Sequence, residues 1–169
     1  MKKQFLSFLI LMLFAAAAFG QKPEARMIDE FGNEHCSQVQ SRVPAYYVPM
    51  GNDLDAKIYV VYYEGQHRLS NVWNKKLKTY ESKWVNPRRG EALIRAKEIG
   101  LIFKDHKVST KNLILVDGGF REKFMLEVWL VPPGAEPPKP TPTLSGKDIT
   151  FRKGKPARSR LCARIYDGL

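Results

Sequence analysis

Two adjacent arginines, Arg88 and Arg89, follow Pro87 where an amphipathic helical pattern begins. Pro87 suits the first turn of that helix, entered from Asn86 as cap. Basic residues there oppose the helix dipole, and a guanidinium beside free backbone N–H groups attracts an anion. A plain exposed first turn, with Glu91 nearby, is the other reading of the same residues. Catalytic patterns are missing. His35, His67 and His106 are scattered, without metal-ligand spacing or an adjacent carboxylate pair. There is no GxSxG segment, no HExxH and no Walker A loop. Asp29, Glu30 and Glu64 are too dispersed for a hydrolase pair. Asp117, at a predicted strand end, is the one carboxylate that would matter if it faced a pocket. The expectation is a protein that is not an enzyme and takes no metal or cofactor.

The elements that must position these residues follow from periodicity. Ala25 to Phe31 reads as a short edge strand. Asn33 or Ser37 suits the cap of a helix towards Tyr47, although Pro44 argues against an uninterrupted one. Lys57 to Tyr63, KIYVVYY, is the clearest strand, closed by Glu64-Gly65 and apolar enough to be covered on both faces. Ala92, Ala96, Ile99 and Phe103 predict an amphipathic helix ending near Asp105. Leu113 to Val116 is the next strand, Asp117-Gly118-Gly119 a turn, and Phe124 to Val131 a third strand. Parallel pairing of the first two strands across the helix makes a βαβ unit, and a hairpin-like return after Gly119 makes the sheet mixed. The fold class is α/β in the sense of an α+β sandwich, with two main helices packed on a mixed sheet.

Between the first strand and the helix, Trp73, Leu77, Tyr80 and Trp84 have the spacing of one helical face. They predict either a short amphipathic helix or aromatics that pin an insertion to the core. Pro132 to Pro142 carries six prolines and reads as an extended linker. Asp148 to Phe151 reads as a short strand ahead of a basic tail.

Lys2 and Lys3, an apolar run from Phe5 to Phe19 and small residues at Ala18 and Gly20 make the pattern of a signal peptide cleaved after Gly20. The expected location is the periplasm or outside the cell, with no transmembrane segment after cleavage. The four regions are then 1–20, signal peptide; 21–131, the α/β domain; 132–146, the Pro-rich linker; and 147–169, the basic C-terminal segment. In an oxidising compartment Cys36 and Cys162, the only cysteines, are expected to pair. The loop so closed would stabilise the fold by about 4–5 kcal/mol in the chain-entropy picture. The formal charge of +11 is concentrated between Arg68 and Arg89 and again from Arg152 to Arg164. An exported basic protein meets anionic glycans, headgroups and wall polymers, so nucleic acid is not an expected partner.

The order of elements, Tyr62-Tyr63-Glu64-Gly65 at the first strand end, Arg88-Arg89-Gly90-Glu91-Ala92 at the helix start, Lys107 to Ile114 and Val116-Asp117-Gly118-Gly119 together resemble the C-terminal domain of the outer-membrane protein A family. The likeness covers roughly residues 33 to 131. It implies peptidoglycan association, with an aspartate and a helix-start arginine gripping the amine and carboxylate of diaminopimelate. Arg89 resembles that arginine. The aspartate has no match, because Gln66, His67, Arg68 and Leu69 follow Gly65. Arg88, Arg89, Arg68 and His67 are the contacts expected for a cell-wall glycopeptide or another anionic envelope polymer. The alternative is a structural or interaction module that has lost glycan recognition and meets a protein partner through Trp73, Tyr80 and Trp84.

Overall fold

The computed structural model describes residues 22–34, 36–51, 53–106 and 109–156. The apolar N-terminal run expected to be a signal peptide, Cys162 and the side chain of Cys36 lie outside the described residues, and the expected disulfide with them. The fold is α+β. Five strands, β1 (Arg26–Phe31), β2 (Lys57–Asn74), β3 (Thr79–Val85), β4 (Leu113–Lys123) and β5 (Met125–Val131), form one sheet. Two helices accompany it, α1 (Cys36–Gly51) and α2 (Glu91–Asp105).

β2 is the axis of the sheet. Its first half pairs with β4 in parallel and with β5 antiparallel, and β1 adds antiparallel to the outer side of β5. The βαβ reading is therefore realised by β2, α2 and β4. Val60 and Val61 are both fully buried, so the strand is covered on both faces. Alternation sends Ile58 and Val60 to a core shared with Leu126, Val128 and Leu130 of β5, Val43 and Tyr46 of α1, and Ala96, Ile99 and Phe103 of α2. On the opposite face Tyr63 is buried, with its hydroxyl donating to Glu127 at 3.2 Å and accepting from the Thr141 N–H at 3.1 Å.

Several expectations are corrected. β2 does not stop at Glu64-Gly65 but runs on to Asn74 through irregular register. Gly65 serves close approach: a Cβ there would sit 2.3 Å from the Lys123 carbonyl carbon. β4 likewise passes through Gly118-Gly119 to Lys123, and β5 joins the other side of β2, so there is no hairpin after Gly119. A side chain at Gly118 would strike the Tyr63 ring at 2.5 Å, which is why glycine stands inside this strand. α1 continues through Pro44 and Pro49. Proline disfavours a helix interior, but buried Val43 and Tyr46, and Arg42 bridging Asp29 and Glu34, hold the helix in place. α2 starts at Glu91 after Gly90 in a left-handed conformation, not at Pro87. Asn86 is not its cap; the Glu91 carboxylate accepts the Arg88 N–H at 2.8 Å.

The aromatic stretch forms neither a helix nor a buried insertion. It is a β2–β3 ribbon whose Trp73, Tyr80 and Trp84 are exposed. Pro132 to Pro142 is not extended from its start, since it opens with a turn in which the Ala135 N–H reaches the Pro132 carbonyl at 3.1 Å; beyond the turn it lies against the sheet, with Pro138 buried. The chain then bonds to β4 through Thr143 and Leu144 N–H groups on the Phe120 carbonyl. Asp148 closes a turn on Ser145 and is not in a strand.

Candidate functional site

β2 and β4 run parallel, and in their register Tyr62 lies beside Asp117. The helix linking them returns its N-terminus to the same level. Here a cavity of about 190 Å³ opens at that place, lined by Tyr62, Glu64, Arg89, Gly90, Leu93, Asp117, Phe120 and Phe151. Its size suits a group as large as an amino acid.

Each wall has a local cause. Glu64 follows Tyr62 by two residues on β2 and faces α2, where its Oε1 accepts the Ala92 N–H at 3.3 Å. Its Oε2 is buried without a hydrogen-bond partner among the described residues, and the residue is 7% exposed. Burial pushes the Glu64 carboxyl up to about 7, with backbone N–H groups of Ala92 and Gly90 opposing and Glu91 and Asp117 adding to the rise. The Tyr62 phenol is also raised, first by burial and then by Asp117 and Glu64. Asp117 accepts the Gly119 N–H at 2.9 Å, a local bond that holds its side chain at the rim. Arg89 is exposed and lies over the Phe151 ring, 4.5 Å from its centroid. Phe151 in turn meets Phe120 edge to face at 6.1 Å. Phe151 of the aromatic wall thus comes from the C-terminal segment, anchored by the Arg152 N–H on the Pro87 carbonyl at 2.8 Å.

The four residues singled out in the sequence separate. Arg89 lines the cavity. Arg88 turns under the C-terminal segment, with its Nε buried and without a hydrogen-bond partner among the described residues. Arg68 belongs to the exposed ribbon, where its carbonyl accepts from Asn33 Nδ2 at 2.6 Å. His67 is fully buried, stacked on Phe124 at 4.9 Å, with Nε2 3.7 Å from Glu91 Oε2. Burial lowers the His67 imidazole to about 4; Arg95 and Arg152 reinforce this and Glu91 opposes it. It is a neutral core residue and presents nothing to a ligand. Glu91 also receives Arg152 Nη2 at 3.3 Å, so the group beneath α2 is an internal fastening of the C-terminal segment.

Sequence reasoning missed Glu64 as a site residue. The available signal was a carboxylate at the end of an otherwise apolar strand, two residues after Tyr62 on the same face. Asp117 was flagged and does face the pocket. Phe151 had no signal, because its place depends on the chain returning after the prolines. No protein-family model, curated protein or solved structure matches this chain.

Proposed function

We propose that this chain is an exported binding module whose cavity holds a zwitterionic end of a cell-wall peptide. A ligand carboxylate would pair with the Arg89 guanidinium, and a ligand ammonium with Glu64 and Asp117. The observation that carries this reading is the presence of one cation and two carboxylates around a single amino-acid-sized cavity. The acidic half of the grip, missing from the residues after Gly65, would come instead from Glu64 of β2 and Asp117 of β4. The orphaned, buried Oε2 of Glu64 adds weight, since an acceptor without a partner is costly and an ammonium would satisfy it. Phe120, Phe151 and Tyr62 would exclude water around the pair and strengthen it. The chemistry is recognition, with no bond made or broken.

Calorimetry with a soluble muropeptide bearing a free diamino-acid end tests the proposal. Arg89→Ala and Glu64→Gln should each weaken binding about tenfold or more, as should acetylation of the ligand amine. Equal affinity of both variants and the parent, or no binding by the parent, would overturn it.

A further inference from the structure

Beyond His67 and Val85, β2 and β3 pair only with each other, over Arg68 to Asn74 and Thr79 to Trp84. A two-stranded ribbon has no third layer to bury its side chains against. Cross-strand partners Trp73 and Tyr80, with ring centroids 5.1 Å apart, are 49% and 66% exposed. Trp84 lies further along the same face, and Leu77 at the tip is 68% exposed. The tip is built firmly: Asn74 Oδ1 accepts the N–H groups of Lys76 at 3.0 Å and Leu77 at 3.2 Å. Lys78 adopts a left-handed conformation to close the turn.

Charge identifies the partner. Arg68, Lys75, Lys76, Lys78 and Lys83 lie on the ribbon, and Lys123 Nζ stands 5.1 Å from the Trp84 ring centroid. The single acidic residue of the ribbon, Glu81, is engaged by Asn74 Nδ2 at 2.9 Å. Trp and Tyr, with apolar bodies and polar edges, concentrate at membrane–water boundaries, and lysine stems reach along apolar surface to leave the ammonium among headgroups. A lysine-rich segment is drawn to anionic lipid. A flat stacking platform for bases or sugar rings is not what the ribbon offers, because the Trp73 and Tyr80 rings are tilted by 60°. Leu77 at the tip has nothing to offer a polar polymer and suits acyl chains.

We infer that the β2–β3 ribbon docks the protein onto an anionic lipid bilayer, with Leu77, Trp73 and Tyr80 entering the interface and Lys75, Lys76 and Lys78 pairing with headgroups. The inference is independent of the pocket.

Tryptophan emission reads this directly in the full chain. The apolar N-terminal run contains no tryptophan, and Trp129→Phe leaves Trp73 and Trp84 as the only indoles. Vesicles of phosphatidylcholine with phosphatidylglycerol, brominated on the acyl chains, should shift the emission to the blue and quench it; phosphatidylcholine alone should not. Lys75, Lys76 and Lys78 changed together to Glu should weaken partitioning about a hundredfold. Leu77→Asp, which keeps the lysines, should lose the quenching, while Arg89→Ala should keep it. Unchanged emission with anionic vesicles, equal quenching by neutral ones, or a blue shift that depends on protein concentration without lipid would overturn the inference. The last result would assign the ribbon to contact between copies of the chain.

Discussion

The guanidinium of Arg89 lies 4.5 Å from the centre of the Phe151 ring, so the cation at the start of α2 is backed by a residue from the far end of the chain. The pocket is incomplete without the segment that follows the prolines. Phe151→Ala should therefore lower affinity for the muropeptide about fivefold, the worth of one such contact at a partly exposed site. Thermal unfolding of this variant should change little. Calorimetry and a melting curve on the same sample check both halves.

Ligand binding should depend on pH through Glu64. An ammonium pairs with the ionised carboxylate, and burial holds that group near 7. The groups facing it are Asp117, Glu91, Arg89 and the backbone N–H groups of Gly90 and Ala92. Affinity should rise as pH increases from 6 to 8, and Glu64→Gln should flatten the profile. A falling profile in the parent would contradict the assignment of Glu64 to the amine.

Stability should show two opposed titrations. Glu64 binds its proton more tightly folded than unfolded, so it favours the fold at low pH, and this contribution is lost as pH rises from about 4.5 to about 7. His67 is the reverse: its imidazole falls from 6.5 to about 4 on burial, so its contribution is present above 6.5 and lost as pH drops towards 4. Each effect is on the order of 3 kcal/mol across its window. They largely cancel between pH 4.5 and 6.5 in the parent. Glu64→Gln should expose a stability that rises with pH, and His67→Phe one that falls, in urea titrations over that range.

Gly65→Ala should destabilise the fold by about 3 kcal/mol, because its methyl would meet backbone atoms of Lys123 and Phe124 that cannot move aside. Gly51→Ala, with open space at its Cβ, is the matched control and should leave stability unchanged or slightly raised. Denaturant midpoints of the two variants make the comparison.

Legibility in the sequence followed the range of the interactions. The core of β2 was readable because KIYVVYY is β-branched and aromatic, and α2 because Ala92, Ala96, Ile99 and Phe103 keep one face. The ends were misread where glycine serves packing and not turning: Gly65 and Gly118 looked like stops, yet each admits a neighbour into a continuing strand. The ribbon looked helical for a geometric reason. Trp73 and Tyr80 pair symmetrically about a turn, which spaces them in sequence like residues on one helical face. Arg89 was visible as a helix-start cation. Its acidic counterparts were not visible as a pair, because parallel register alone brings β2 and β4 side by side at Tyr62 and Asp117. His67, polar in sequence, is buried because Phe124 provides a stacking face.

One uninterrupted strand, β2, carries both Glu64 and Trp73. The cavity wall and the aromatic tip therefore belong to one continuous backbone. On the ribbon its register with β3 shifts between Leu69 and Val72. Glu64 pairs with Phe120 of β4 and Trp73 with Tyr80 of β3, so one strand divides its length between two neighbours, facing a cavity beside the first and bearing an exposed aromatic surface beside the second.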